Sequence, residues 1–306
     1  MPSLPRFTVI IPTYNWSAVL PFSIGSVLDQ TFADFELLVV GDGCTDESAA
    51  VVGAIEDERV RWINLSANHG HQSAPNNEGL RQARGELIAY LGHDDLWLPH
   101  HLACMAEAIA AGADMAFGIT GMIAPPGGAE QDVAICRPYR SGDWIPPSAV
   151  AHRRALIDQV GGWRDFRTLH RSPETDLWRR FHDGGARISL VPRLSTIKFP
   201  ASKRRNVYRD RPNHEQATYA ARIREDSGFE AAELGRLLIA TAAANPETTY
   251  SELLKQVVRR TGAGIARRLM GSRRGAAIES NRRFKGLVPN AETGDPLSRT
   301  TGETSR

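Results

Sequence analysis

Phe7-Thr8-Val9-Ile10-Ile11, followed at once by Pro12-Thr13-Tyr14-Asn15, decides how the chain folds. A short apolar, β-branched run of this kind describes a strand buried on both faces of a parallel sheet. Pro12 has no N–H for a ladder and is expected to end that strand. The pattern recurs outward along the sequence. Phe35 to Val40 is a second run, stopping at Gly41-Asp42-Gly43; Val60 to Leu65 is a third; Glu86 to Leu91 is a fourth, stopping at Gly92-His93-Asp94-Asp95. Between the runs, Ser17 to Asp29 places apolar residues at three- and four-residue spacing, and Asp46 to Glu56 and Pro75 to Arg84 also read as helices. Strand-then-helix units in this order imply an α/β domain with a mostly parallel central sheet flanked by helices. Further on, Arg153 to Val160 and Pro173 to His182 read as helices, Arg187 to Val191 as a strand, and Pro212 to Met270 as largely helical.

Composition narrows the class. The 306 residues are 42% hydrophobic and 24% charged, ordinary for a globular chain and unlike a disordered one. No apolar run approaches the ~18 residues of a spanning helix, and the first strand is too short for a secretory leader. Cys44, Cys104 and Cys136 are odd in number and share no close spacing, so neither a disulfide framework nor a zinc site is indicated. These features point to a soluble chain in a cytoplasmic setting. The net charge of +2 is unevenly spread: from Ser251 to Val288 ten basic residues face only Glu252 and Glu279, a local +8 that leaves the remainder at −6. With Leu253, Leu254, Val257, Val258, Ile265 and Leu269 among arginines, this segment suggests either a helix packed on the body or peripheral contact with the inner face of an anionic membrane. Interleaved aromatics and nucleic-acid modules are lacking, so no nucleic-acid partner is expected.

In open α/β sheets, ligands bind beyond the carboxyl ends of the strands. Three such ends carry chemistry here: Pro12-Thr13-Tyr14, Asp42 and Asp94-Asp95. Adjacent carboxylates repel unless a cation neutralises them, and hard oxygen ligands suit Mg²⁺ or Mn²⁺ bridging to phosphate. Capping of the next helix is the structural alternative for Asp42 and for either member of the Asp94-Asp95 pair.

Taken in order, Phe7 to Asn15, Ser26-Val27-Leu28-Asp29-Gln30-Thr31-Phe32, Phe35 to Asp46, Asn68-His69-Gly70, Asn77-Glu78-Gly79-Leu80, Ala83-Arg84-Gly85-Glu86 and Tyr90 to Trp97 resemble glycosyltransferase family 2. The resemblance covers roughly residues 6–215. It implies a GT-A fold and inverting transfer of a sugar from a nucleotide-diphosphate donor, most often a UDP-sugar, to a glycan, lipid-linked or other hydroxyl acceptor. Carried over by position, it implies Pro12, Thr13 and Tyr14 in the nucleobase pocket, Asp42 on the base edge, Asn77 in the donor site, Asp94 on the ribose or sugar, and Asp95 on the divalent ion. His214, which follows the basic run Lys203 to Arg211, is a candidate late-sequence metal ligand. The acceptor's proton needs a base; Ser172-Pro173-Glu174-Thr175-Asp176-Leu177-Trp178 offers Glu174 first and Asp176 second. Both also suit the positive end of a helix opened by Pro173.

The sequence departs from the family pattern at Gly41, at Gly92-His93 and at Asn76, which stands where an arginine is common. His69, His71 and His93 are expected to be solvent-facing loop residues, and Trp144, Trp163 and Trp178 are candidates for stacking on sugar. Residues 1–215 then form the catalytic domain, 216–288 a basic helical C-terminal extension and 289–306 a tail. Two other functions fit the same residues: a catalytically idle nucleotide- or glycan-binding relative, and a nucleotidyltransferase.

Overall fold

The computed structural model describes residues 4–127, 133–135, 137–244 and 276–287. The apolar stretch Leu253 to Leu269 and the tail from 289 onward lie outside the described residues, as do the expectations made for them. In chain order the elements are β1 (Phe7–Thr13), α1 (Leu20–Leu28), β2 (Phe35–Gly41), α2 (Ser48–Gly53), β3 (Val60–Asn64), α3 (Ser73–Gln82), β4 (Leu87–Tyr90), β5 (Leu96–Trp97), α4 (His101–Ala110), β6 (Met115–Met122), β7 (Val133–Ile135), β8 (Val150–Arg153), α5 (Ala155–Val160), α6 (Pro173–Asp183), β9 (Ile188–Lys198), α7 (Val207–Asp210), α8 (His214–Glu225), α9 (Phe229–Ala244) and α10 (Ala276–Phe284).

The strands form one sheet in the order β3-β2-β1-β4-β8-β6-β9-β5, with β7 pairing β6. The β3-β2-β1-β4 half is parallel, as the repeated units imply. Beyond it the sheet is mixed, because β8 enters antiparallel between β4 and β6 and β5 runs antiparallel to β9. Alternate residues of β1 feed two cores. Val9 and Ile11 pack with Leu20, Ile24 and Val27 of α1 and Met105 of α4, while Ile10 packs with Leu177, Trp178 and Phe181 of α6. Burial on both faces is why the strand reads as an unbroken apolar run.

Two boundaries differ from expectation for identifiable reasons. β1 continues through Pro12, which lies opposite Val40 of β2. Ile10 bonds toward β4, its carbonyl accepting from Leu91 N, whereas Thr13 bonds toward β2, its carbonyl accepting from Asp42 N. By alternation Pro12 faces the β4 side, where that strand has already ended, so its missing N–H costs no ladder bond. β9 runs on to Lys198 through Pro192, because its pairing with β6 slips between Val191 and Leu194 while β6 advances only from Gly118 to Ile119. A bulge of this kind absorbs a proline.

The change of domain expected at residue 215 is not a break in packing. Ala220 of α8 and Phe229 and Leu237 of α9 are buried with Leu96, Ile119, Leu194 and Ile197 of the sheet. No described helix is long and apolar enough to cross a membrane.

Candidate active site

A cleft of about 570 Å³ opens at the carboxyl ends of β1, β2 and β4. Pro12, Thr13, Tyr14, Asp42, Asp94 and Glu174 all line it. Asn77, Asp95, Asp176 and His214 are absent from its lining.

At the β2 end, the Asp42 carboxylate is already engaged within the chain. Its Oδ1 accepts from His69 N at 2.9 Å, with His69 Nδ1 at 3.1 Å, and its Oδ2 accepts from Gly70 N at 2.9 Å and Asn68 Nδ2 at 3.2 Å. Asp42 thus braces the 68–70 loop from the cleft wall, a role beside the expected contact with a base edge. At the β1 end, Thr13 Oγ1 lies 2.8 Å from Nδ1 of His93, whose Nε2 lies 3.3 Å from the Tyr208 hydroxyl. His93 is therefore buried, not solvent-facing, and burial pushes its pKa down to about 4.

The Asp94-Asp95 pair is divided by the turn after β4. Asp94 faces the cleft. Asp95 is fully buried: Oδ2 accepts from Lys198 Nζ at 2.6 Å and from the Ser148 hydroxyl, and Oδ1 accepts from Phe199 N at 3.1 Å. Burial is the largest influence and works against the Lys198 charge, but Asp95, Asp94 and Glu174 together outweigh it and the ammonium's pKa is raised. Asp95, expected on the divalent ion, thus ties the turn after β4 to the end of β9 and lies outside the cleft lining, whereas Asp94 is the member of the pair that lines it. A side chain at position 92 would displace the pair, since a Cβ there would sit 2.8 Å from Asp95 Oδ2 and 3.2 Å from Asp94 Oδ1.

The second acidic pair divides in the same way. Pro173 opens α6 as expected, with Glu174 and Asp176 in its first turn. Asp176 turns inward onto Arg180, 2.8 Å away, with Arg164 at 3.6 Å. Arg180 in turn donates to the carbonyls of Val160, Gly161 and Gly162, tying α6 to the end of α5. Glu174 remains in the cleft. Its Oε1 accepts from the Trp144 indole N–H at 2.7 Å, and its buried Oε2 has no hydrogen-bond partner. His71 lines the cleft too, its pKa lowered to about 4 by burial although Glu174 acts to raise it. Of the three tryptophans only Trp144 lines the cleft; Trp163 and Trp178 are core.

Two further expected site residues lie away from the cleft lining. Asn77 spends its side chain on the backbone of Trp163, donating from Nδ2 at 2.8 Å and accepting at Oδ1 at 2.9 Å. His214 stands exposed at the start of α8. Residues not singled out from sequence also reach the cleft, among them Lys198, Arg282 and Lys285. For Lys198 a signal existed: a lysine following the alternating stretch Leu194-Ser195-Thr196-Ile197, hidden once the strand is stopped at Val191.

Residues 8–134 match the family model described as Glycosyl transferase family 2. Among curated relatives, an uncharacterized glycosyltransferase of Nostoc sp. is 31% identical over 51% of this chain and 53% of its own length. The GalNAc(5)-diNAcBac-PP-undecaprenol beta-1,3-glucosyltransferase of Campylobacter jejuni is 32% identical over 38% of each chain. The chain thus spans about half, or less, of the length of these relatives. S. aureus TarS, solved in complex with UDP, superposes with a TM-score of 0.54 at 18% identity, covering 92% of this chain and 90% of that one. The mannosyltransferase PcManGT from Pyrobaculum calidifontis, solved with GDP-Man and Mn²⁺, gives 0.53 at 18% identity over 94% and 88%. The sheet and its flanking helices have the GT-A arrangement of these neighbours.

Proposed function

We propose, from the match of residues 8–134 to the model described as Glycosyl transferase family 2, that the protein transfers a sugar from a nucleoside-diphosphate donor to a hydroxyl acceptor, inverting the anomeric carbon. One observation carries the reading: Glu174, buried in the same cleft as the β1, β2 and β4 ends, keeps one oxygen fixed by Trp144 and the other without a partner. A buried carboxylate oxygen left open is costly, and it is what a general base for an acceptor hydroxyl requires. Asp176, held by Arg180, serves to fix α6 under it.

In this reading Pro12, Thr13 and Tyr14 bound the nucleobase pocket, with the hydroxyl of Thr13 oriented by His93. Asp94 fits a divalent ion: Mg²⁺ and Mn²⁺ at diphosphates take one or two protein carboxylates and complete their shell from phosphate and water. Among the described residues no group of three or more His, Cys, Asp or Glu forms a closed metal cage, which accords with a site shared with the donor. Such an ion supplies charge neutralisation on the departing diphosphate. Glu174 Oε2 takes the acceptor's proton as its oxygen attacks the face opposite the leaving group. The UDP of the TarS complex supports a UDP-type donor, the Mn²⁺ of the PcManGT complex supports the ion, and the name of the Campylobacter relative supports a lipid-linked glycan acceptor.

The test is donor turnover by the full chain with Mn²⁺ across a panel of nucleoside-diphosphate sugars. Release of nucleoside diphosphate is expected, stimulated by acceptor, and lost in Glu174→Gln with donor binding kept. Pyrophosphate release from a nucleoside triphosphate, or binding without turnover in the wild type, would replace the proposal with a nucleotidyltransferase or an idle binding protein.

A further inference from the structure

The family match ends at residue 134, yet one wall of the cleft comes from a segment that follows it by more than a hundred residues. Ile278, Asn281, Arg282, Lys285 and Leu287, from α10 and the turn after it, line the same cleft as Tyr14, Asp94 and Glu174. The segment is pinned by its main chain: Asn206 N donates to Phe284 O at 2.8 Å, and Tyr208 N donates to Lys285 O at 2.9 Å. Gly286, at φ +81°, turns the chain where a Cβ would press on Asn206 Cα and Arg209 Cβ at 3.2 Å, so the close approach needs glycine.

The charges on this wall lack counterparts. Among the described residues neither Arg282 nor Lys285 has an ion pair, and Arg282 Nε is buried without a hydrogen-bond partner. Lys285 is faced by Asp94 and Glu174, which favour its charge, and by Lys198 and Arg282, which oppose it; burial dominates and its pKa is lowered. Arg282 lies at the other end, against Gly70, where any side chain would strike its guanidinium, and within the field of Asp42 and Tyr14. The two cations thus run from the nucleoside end of the cleft to the reacting end. Partly buried, unpaired cations that repel one another are unfavourable until an anion joins them.

Building on the donor reading above, we propose that residues 276–287 form a clamp for the donor's diphosphate, with Arg282 and Lys285 binding its oxygens. Arg282 offers a planar fork suited to phosphate, and Lys285 a compact charge beside Asp94. Both bind more strongly as negative charge gathers on the leaving nucleoside diphosphate, so the clamp serves the transition state as well as the ground state.

The experiment measures Kd by calorimetry for the full chain with Mn²⁺, using uridine and guanosine, their diphosphates, and the variants Arg282→Ala, Lys285→Ala and Lys285→Arg. The wild type is expected to prefer the diphosphate. Each alanine variant should weaken diphosphate binding about tenfold or more while leaving nucleoside binding unchanged, and Lys285→Arg should keep most of the affinity. Variants that bind the diphosphate like the wild type would overturn the clamp and leave the donor reading standing. Equal losses for nucleoside and diphosphate would also overturn it, making the segment a wall with no anion site. A wild type that binds neither diphosphate would instead overturn the donor reading itself.

Discussion

The cleft is bordered by two acidic pairs, Asp94-Asp95 after β4 and Glu174/Asp176 in α6, and each is split between two tasks. In each pair the earlier residue faces the cleft and the later one is buried on a cation, Asp95 on Lys198 and Asp176 on Arg180. The pairs differ in where the cation comes from. Lys198 arrives from the far end of another strand and joins two parts of the sheet, whereas Arg180 stands one turn along the same helix. Losing the first cation leaves a sealed charge. Losing the second acid leaves an arginine that still has three carbonyls.

The largest effect expected from breaking this division of labour is on chemistry. Glu174→Gln should lower the transfer rate by about 10²–10⁴ at unchanged donor Kd, read by steady-state kinetics beside calorimetry; a near-normal rate would remove Glu174 as the base. Next, Lys198→Met strands Asp95 in the interior and should cost about 3–5 kcal/mol, seen as a lower urea midpoint. A midpoint equal to the wild type would mean that Asp95 reaches water or another partner.

Acid probes the sealed groups collectively. Burial holds His93 and His152 at about 4 and His101 at about 3, while an unfolded imidazole titrates near 6.5. Below pH 6.5 the unfolded chain therefore binds protons that the folded chain refuses, so stability falls as pH drops toward 4. The slope is about 1.4 kcal/mol per pH unit for each imidazole. Urea midpoints at pH 7 and pH 5 check this, and equal midpoints would contradict it. The smallest effect belongs to Asp176→Asn, at about 1 kcal/mol with the transfer rate within about twofold. A rate collapse there, with donor binding intact, would exchange the roles of the two acids in α6.

How much of this was legible in sequence follows from how far apart the deciding partners lie. The β1, β2 and β4 ends could be read locally, because a strand buried on both faces writes its own apolar run, although β1 itself continues through the proline expected to end it. That Glu174 and Asp176 open a helix could also be read, from Pro173. For the α6 pair the resemblance also put Glu174, the one that lines the cleft, first; how Asp94 and Asp95 divide could not be read. Asp95 is claimed by Lys198, Ser148 and Phe199, all more than fifty residues away, and β9 is interrupted by Pro192, which only its pairing with β6 explains. Asn77 resembled a donor ligand by position but answers to Trp163. The excess of positive charge near the C-terminus left a packed helix and a membrane contact both open; of the part that is described, Arg282 and Lys285 line the cleft.

The main-chain bonds from Asn206 and Tyr208 to Phe284 and Lys285 also bear on the order in which the site is made. Translation delivers the strands, both acidic pairs and the packed helices by residue 244, while the wall carrying Arg282 and Lys285 is still inside the ribosome. A nascent chain at that stage would hold its carboxylates in place around a trough open on one side, and would acquire its grip on a diphosphate only when the returning segment zips onto residues 206–208.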